Sequence, residues 1–235
     1  EMSVEALADR EAALSVEAGR LAAELSAKRQ EAGTALAAGV EASIAELRMG
    51  RAAFAVQIAR RRDAAGIPVR LDGGDQELLA ADASGVDHVT FLIAPNAGEG
   101  LKPLARIASG GETARLMLAL KSILSDVDET PTLVFDEIDV GVGGRSGQVV
   151  GEKLSGLVES HQVIVITHLA QIAAYAERHF RIAKAEQGGR VVSTIDQLDL
   201  REREEELAAM LDGLPLTPGA LETARTMLER ASRPD

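Results

Sequence analysis

Residues 132–137 read Thr-Leu-Val-Phe-Asp-Glu, a short and largely apolar run that leads directly into two acids. Runs of this kind are typical of a central parallel strand that is buried on both faces of a sheet. In such sheets, ligands bind at the edge where the parallel strands end. The sequence therefore predicts that Asp136 and Glu137 lie at a ligand-binding edge. Two solvated acids at a strand end are the simpler alternative.

The sequence on both sides of this run alternates between helix and strand patterns. A helix is predicted to begin near Gly110, and a second one is predicted over residues 146–160. Alternation of strands and helices favours a parallel sheet with flanking helices, so we predict an α/β fold. The remaining predicted elements are a strand at 163–166, a helix at 169–176, a strand at 191–195 and a helical tail from Glu202 that is broken around 214–218.

The two acids and one histidine have the chemistry of a metal-dependent phosphate site. Asp136 is expected to hold Mg²⁺, directly or through water, because hard cations take oxygen ligands and keep several waters. Glu137, which strand alternation points the other way, is expected to orient and deprotonate an attacking water. His168 follows the strand at 163–166, so its imidazole is expected at the same edge. A neutral ring there donates one hydrogen bond to a terminal phosphate.

A glycine pair begins the helix that precedes these acids. Ser109, Gly110 and Gly111 stand at its start, where glycines let phosphate oxygens approach the backbone N–H groups at the positive end of the helix dipole. The serine hydroxyl adds a further donor. An N-cap serine with Glu112 in a capping box explains the same residues without any ligand.

The loop beyond the acids, residues 138–144, is rich in glycine and contains Asp139. We expect Asp139 to couple two sites across a dimer, and a simple strand-to-helix connection is the alternative. None of the 22 glycines lies in a G-x-x-x-x-G-K-[ST] loop, the segment that cradles the β and γ phosphates of a nucleotide. The chain is therefore predicted to carry half of a catalytic site.

The first 49 residues contain no proline and are rich in alanine, glutamate, leucine and arginine, which predicts one long helix. Apolar residues recur in it every seven positions, as in a coiled coil, and the partner helix is expected from outside this chain. A helix packed on its own domain is the alternative. Residues 52–95 predict a β-rich subdomain. The two seams of the predicted coil are Leu7, Leu14 and Leu21, and Val4, Ala18 and Leu25 with Glu11 interrupting the second seam.

Composition narrows the function classes. The chain has no cysteine, which excludes disulfides and thiolate chemistry, and no apolar segment long enough to cross a membrane. We therefore expect a cytoplasmic protein. The net charge of −12 argues against uniform attraction to nucleic acid, so any DNA contact must be local. Arg60, Arg61 and Arg62 are the densest basic cluster, and a solvated strand end is the simpler interpretation of it.

The ordered segments SGGE, TLVFDEID and ITH resemble the head of ABC-type ATPases. The longer segments ARIASGGETARLMLALK, VFDEIDVGVGGR and VITHLAQIAAYA are similar to the branch of that family related to structural-maintenance-of-chromosomes (SMC) proteins, in particular to its bacterial DNA-repair members. Glu112, where transporters more often have glutamine, also favours this branch. The resemblance implies a head of two lobes joined by an antiparallel coiled coil. Residues 1–50 are then the second coil strand, and residues 51–235 the carboxy-terminal lobe.

The resemblance also implies roles for single residues. Asp136 corresponds to the Walker B metal acid, Glu137 to the catalytic base, Asp139 to the dimer-communicating acid and His168 to the switch histidine. The signature loop, which meets the γ-phosphate of ATP held by the opposite head, corresponds to Ser109, Gly110, Gly111 and Glu112.

The cofactors implied by the resemblance are ATP and Mg²⁺. The implied partners are the amino-terminal lobe with the phosphate loop, a second copy that closes around two ATP molecules, and double-stranded DNA. The implied function is ATP-driven clamping of DNA in double-strand-break repair and recombination, at the nucleoid. A transporter ATPase subunit is one alternative, which the coil disfavours. A coiled-coil scaffold with a vestigial head is another, which the intact acids disfavour.

Overall fold

A computed structural model describes residues 3–47, 49, 52–71, 73–95, 98–106, 110–125, 127–187 and 190–232. The chain divides into two compact units, each described separately. The first comprises Glu1–Ala42 and Gly50–Ile107, and the second comprises Ser43–Met49 and Ala108–Asp235. The predicted division is a different one, into a coiled-coil arm of residues 1–50 and a lobe of residues 51–235. It depends on a partner helix for the arm, and it stays a prediction.

The long helix predicted at the start of the chain is confirmed as α1, Val4–Glu46. Its leucine seam is exposed. From Gly19 onward a different stripe is buried, spaced by three, four and seven residues and made largely of small side chains. This part packs on its own subdomain, as the alternative interpretation of the helix expected, while a coil through the leucine seam stays a prediction. The buried stripe within the first unit comprises Gly19, Ala22, Ser26, Gly33 and Val40.

Close approach of helix and strand explains the small residues of this stripe. A Cβ on Gly19 would lie 1.9 Å from the backbone oxygen of Pro68, so only glycine fits there. Ala22 shares a small core with Val69 and Leu79. Because α1 contacts the strands so closely, small side chains are required where leucines would hold the helix away.

The rest of the first unit is the predicted β-rich subdomain. Two small antiparallel sheets form it, with strand orders β1-β4-β5 and β2-β3. In the first of these sheets, β1 and β4 pair in antiparallel orientation over their whole length. The strands are β1 Ala53–Ala59, β2 Arg62–Arg70, β3 Gln76–Leu79, β4 His88–Ala94 and β5 Lys102–Pro103.

One buried carboxylate joins α1 to this subdomain. The side chain of Asp87 is 0% exposed. It accepts hydrogen bonds from Ser26 Oγ at 2.7 Å, Arg60 Nε at 2.9 Å and Arg29 Nη1 at 3.2 Å. Burial raises the pKa of Asp87, but these hydrogen bonds outweigh burial and hold the pKa below its ordinary value. We call these four residues the Asp87 cluster.

The basic run that was weighed as a DNA contact has acidic partners. Arg60 belongs to the Asp87 cluster. Arg61 Nη2 lies 3.4 Å from Asp63 Oδ2, and Arg62 pairs with Glu77. Neighbouring carboxylates cancel much of the field that a DNA phosphate would meet, so this run is a poor candidate for DNA binding.

The second unit alternates helix and strand, as predicted, and its central strands β6 and β7 pair in parallel. The fold is α/β. The helix predicted at 169–176 is only four residues long, and the sequence did not predict β8, which forms an antiparallel hairpin with β9. The elements are α2 Gly110–Leu124, β6 Thr132–Phe135, α3 Gly144–Gly156, β7 Gln162–Val165, α4 Ala170–Ala173, β8 Phe180–Gln187, β9 Arg190–Gln197, α5 Leu200–Asp212 and α6 Pro218–Ala231.

The expectation that β6 is buried on both faces is wrong for this chain. Leu133 and Phe135 are buried, but Val134, which points to the opposite face, is 63% exposed. Ile164 of β7 and the adjacent Ile166 are exposed as well. The described part of the chain supplies a covering layer for one face of the β6–β7 pair only.

The helices at the end of the chain pack on α4. Ala173, Leu207 and Ala224 are buried together in one apolar cluster. The start of α5 is fixed by a capping box between Asp199 and Glu202. Among the described helices, none combines the length and apolar character needed to cross a bilayer.

Candidate functional site

The parallel register of β6 and β7 brings the predicted site residues to one edge. Phe135 pairs with Val165, and the backbone N–H of Ile166 donates to the Phe135 oxygen at 2.9 Å. Both strands therefore end side by side. The segments that follow them carry Asp136 and Glu137 on one side and His168 on the other.

Asp136 is exposed where β6 ends. Its Oδ1 accepts a hydrogen bond from the backbone N–H of Glu137 at 2.9 Å, which fixes the carboxylate without covering it. No group of three or more His, Asp or Glu side chains that could hold a metal occurs among the described residues. A single carboxylate fits Mg²⁺ all the same, since this ion commonly binds one or two carboxylates together with nucleotide phosphates and water.

Glu137 does not continue the strand. Its φ of 58° lies in the left-handed region, which is uncommon for residues other than glycine. The expectation that strand alternation orients this side chain is therefore wrong, because β6 ends at Phe135 and the backbone bends at Glu137. A backbone conformation of this kind costs about 1–3 kcal/mol and is found more often at functional sites than elsewhere.

The glycines that begin α2 lie against the turn that contains Glu137. A Cβ on Gly110 would lie 2.2 Å from Glu137 Oε2, and a Cβ on Gly111 would lie 3.0 Å from the backbone oxygen of Val140. A side chain at Gly110 would displace the Glu137 carboxylate, and one at Gly111 would press against the backbone of the turn, so glycine at both positions lets α2 approach this turn closely. Glu112 follows in the first turn of α2, half-buried.

Ser109, the first residue of the expected signature loop, lies outside the described residues. The capping box that was weighed for Ser109 with Glu112 therefore stays a prediction.

Arg115 is a residue of this site that the sequence patterns did not indicate. It is 8% exposed on α2, and its Nη1 donates to the backbone oxygens of Val140 at 2.7 Å and Ile138 at 3.3 Å. Burial lowers the pKa of Arg115, and the charge of Glu112 opposes this effect. The available signal was a charged residue beside leucines on one helix. Arg115 ties the glycine-led helix to the loop that follows the two acids.

Asp139 is 4% exposed and accepts hydrogen bonds within its own lobe. Thr167 Oγ1 donates to Asp139 Oδ2 at 2.6 Å, and the backbone N–H of His168 donates to the same oxygen at 2.8 Å. Burial raises the pKa of Asp139, but these hydrogen bonds outweigh burial and hold the pKa below its ordinary value. This use differs from the expected coupling across a dimer, which stays a prediction.

The side chain of His168 is 77% exposed at the sheet edge, and its Nδ1 lies 2.9 Å from Asp139 Oδ2. An ionised carboxylate only accepts hydrogen bonds, so Nδ1 is the donor. A neutral His168 therefore uses its one N–H on Asp139. The expectation that the neutral ring donates to a phosphate does not fit this arrangement.

These features match the class of protein that the resemblance implied, an ABC-type ATPase head lobe: an α/β lobe with two acids and a histidine at one parallel sheet edge, next to a helix that begins with glycines. No family model matches the chain. Its relatives identify the family within this class.

The DNA repair protein RecN of Streptomyces coelicolor is 39% identical over 219 residues, which cover 93% of this chain and 37% of that protein. RecN of Mycobacterium tuberculosis strain H37Rv is 39% identical over 234 residues, covering 98% of this chain and 40% of that protein. Over the segment that it spans, the chain belongs to the RecN family, as the motifs predicted. It spans about two fifths of the length of these relatives.

Solved structures of SMC heads are also similar. An SMC head domain from Thermotoga maritima matches at 19% identity with a TM-score of 0.36, covering 78% of this chain and 52% of that one. A Pyrococcus furiosus Smc head with an extended coiled coil, bound to the C-terminal domain of ScpA, matches at 19% identity with a TM-score of 0.45, covering 76% and 38%. Membership of the family follows from the sequence relatives alone.

Proposed function

We propose that this chain is the carboxy-terminal part of an SMC-like ATPase that acts in DNA double-strand-break repair and recombination. The observation that carries the proposal is the common edge at which β6 and β7 end. Asp136, Glu137 and His168 lie along it, with the glycine-led start of α2 against Glu137. Relatives that are DNA repair proteins supply the biological context.

In this proposal, the chain's own residues act on ATP at that edge. Asp136 is open to solvent and holds Mg²⁺, directly or through water. Glu137 orients and deprotonates the water that attacks the γ-phosphate. His168 presents its exposed ring to the same phosphate. Mg²⁺ neutralises charge on the phosphates when it is bound.

The missing half of the site comes from the amino-terminal lobe of the same protein, which carries the phosphate loop. The exposed face of the β6–β7 pair, formed by Val134, Ile164 and Ile166, supports this arrangement. Parallel sheets occur almost only with both faces covered, and a pair of strands is too small to stand alone. The amino-terminal lobe would extend the sheet and cover that face.

Two such heads close around two ATP molecules and open after hydrolysis, with Ser109, Gly110, Gly111 and Glu112 meeting the nucleotide held by the opposite head. The arm of residues 1–50 transmits closure to a clamp on double-stranded DNA. The protein acts in the cytoplasm at the nucleoid. DNA contacts lie away from the basic run at residues 60–62, because its arginines already pair with acids.

The test is ATP turnover by this chain mixed with the amino-terminal lobe. Glu137→Gln is expected to lower kcat by about 10²- to 10⁴-fold, the usual contribution of a general base. ATP-dependent dimerisation, measured by light scattering, should persist because the amide keeps the shape of the side chain. The chain without the lobe should hydrolyse almost no ATP.

Glu159→Gln, at an exposed turn of the same unit, is the matched control and should leave turnover unchanged. Wild-type turnover in the Glu137→Gln variant would refute the assignment of the base. Vigorous hydrolysis by the chain alone would refute the half-site.

A further inference from the structure

Asp139 and His168 form a pair with one buried and one exposed member. The carboxylate is 4% exposed and the imidazole side chain is 77% exposed, and their nearest atoms lie 2.9 Å apart. An exposed side chain normally has freedom to rotate. Here one ring nitrogen is tied to a carboxylate that is itself fixed by the Thr167 hydroxyl and the His168 backbone N–H.

We propose that Asp139 is a positioning residue for His168: it holds the ring so that Nε2 is the nitrogen presented to the terminal phosphate. This inference rests on the proposed ATPase function and deepens it. It assigns Asp139 a task inside its own lobe, distinct from communication across a dimer.

The carboxylate is rigid enough for this task because its loop is held from two directions. From α2, Arg115 donates to the backbone oxygens of Ile138 and Val140, the two neighbours of Asp139. From the segment after β7, Thr167 donates to the carboxylate and accepts from the backbone N–H of Leu169 at 3.0 Å. Side chains fixed by a second layer of hydrogen bonds keep reacting groups in register.

The pairing also decides which ring nitrogen carries the proton. The hydrogen bond made by one imidazole nitrogen sets the state of the other. With Nδ1–H on Asp139, Nε2 carries a lone pair in the neutral ring and donates to a phosphate oxygen only when the ring is protonated. The carboxylate on Nδ1 then balances the positive charge of the ring.

His161 has a similar hydrogen bond at its Nδ1, but its ring is not exposed. Its Nδ1 lies 2.6 Å from the backbone oxygen of Thr130, but the ring is buried and its Nε2 has no hydrogen-bond partner. That ring is fixed and inaccessible. His168 is fixed and accessible, which is the combination that phosphate recognition requires.

The first measurement is the ring tautomer, by ¹H–¹⁵N correlation NMR of this chain labelled at its four histidines. His168→Gln identifies the His168 signals. Neutral His168 is expected as the Nδ1–H form in the wild type, and that preference is expected to weaken in Asp139→Asn, because the uncharged amide oxygen is a poorer acceptor than the carboxylate. The signals of His161 report whether the variant has kept its fold. Asp128→Asn is the matched control, because Asp128 binds Lys121 and Thr130 instead.

The second measurement is ATP turnover with the amino-terminal lobe. Asp139→Asn is expected to lower kcat by about 10- to 100-fold, the usual effect of removing a group that orients another. The KM for ATP should change much less, because the phosphate loop lies in the other lobe. Asp128→Asn should hydrolyse ATP as the wild type does.

Each outcome decides one question. A folded Asp139→Asn variant with wild-type kcat overturns the positioning role, as does a wild-type His168 in the Nε2–H form. If the wild type itself shows no turnover with the lobe, the proposed ATPase function fails, and the positioning role falls with it. A weaker preference for the Nδ1–H form together with a lower kcat, in Asp139→Asn but not in Asp128→Asn, supports the proposal.

Discussion

Asp87 in the first unit and Asp139 in the second are both buried carboxylates that accept several hydrogen bonds. Asp87 binds two arginines and a serine, so its charge is balanced and its oxygens are occupied. Asp139 binds a hydroxyl, a backbone N–H and the nitrogen of an exposed ring. The first arrangement joins a helix to a sheet, and the second holds an exposed imidazole at a surface.

The difference shows that the neighbours of a buried acid determine its task. Full pairing with cations leaves no group for a ligand, and a buried charge without that pairing is costly. Asp139 avoids part of the cost through neutral donors. A positive charge beside Asp139, either on the protonated ring of His168 or on a group bound next to that ring, would balance the charge of the Asp139 carboxylate. We therefore expect substitution of Asp87 to affect stability and substitution of Asp139 to affect activity.

The largest effect on stability is expected for Asp87→Ala. The change leaves Arg29 and Arg60 without their shared carboxylate, and it removes the oxygen to which the Ser26 hydroxyl donates. Breaking a fully buried pair costs about 3–5 kcal/mol. The arginines keep about a quarter of their surface exposed, so we expect the free energy of unfolding to fall by about 2–3 kcal/mol.

Urea unfolding of the two variants measures this difference. In Asp139→Asn the free energy of unfolding should fall less, by about 1 kcal/mol, because the amide oxygen still accepts a hydrogen bond. With the amino-terminal lobe present, Asp87→Ala should retain kcat within about twofold, unlike Asp139→Asn, because Asp87 is not among the residues assigned to the ATP site. An Asp139→Asn variant that loses more stability than Asp87→Ala would remove the contrast between the two acids.

A smaller effect is expected for Arg115→Lys, which tests whether the loop around Asp139 is held from α2. Lysine reaches at most one of the two carbonyls that Arg115 binds, so we expect a loss of about 1–2 kcal/mol. The turn bonds from Val140 N–H to Glu137 O and from Val142 N–H to Asp139 O should open more often.

Hydrogen exchange over residues 137–142 provides the measurement, with faster exchange expected in the variant. Arg178→Lys, at an exposed position of the same unit, is the control. Unchanged exchange in Arg115→Lys would mean that the loop is rigid without the arginine, and that Arg115 only fills space.

The sheet edge could be predicted from the sequence because it depends on short-range patterns. The apolar runs at 132–135 and 163–166 indicated two strands, and parallel pairing follows from the helix between them. Asp136 and His168 were therefore placed correctly at one edge. Glu137 was placed but wrongly oriented, since a positive φ in a residue other than glycine leaves no pattern in a sequence.

The network behind the edge could not be predicted in the same way. Arg115 binds backbone oxygens 23 and 25 residues away, and Thr167 binds Asp139 at a separation of 28 residues. Contacts between residues so far apart leave no repeating pattern in the sequence. In α1, the heptad of leucines was visible, but packing through small residues was weighed only as the alternative, because glycine, alanine and serine give a weak hydrophobic signal.

The smallest expected effect is the pH dependence of the Asp87 cluster. Because the pKa of Asp87 is lower in the folded chain than in the unfolded one, its contribution to stability is fully present above the unfolded value of about 4 and is lost as pH falls through the folded value.

Asp87→Asn lacks this contribution at every pH. The difference in unfolding free energy between wild type and Asp87→Asn should therefore be constant near neutral pH and shrink as pH is lowered below about 4. Urea unfolding across that range measures the difference. A gap that stayed constant down to the acid limit would mean that shape, and not the charge of the carboxylate, holds α1 to its subdomain.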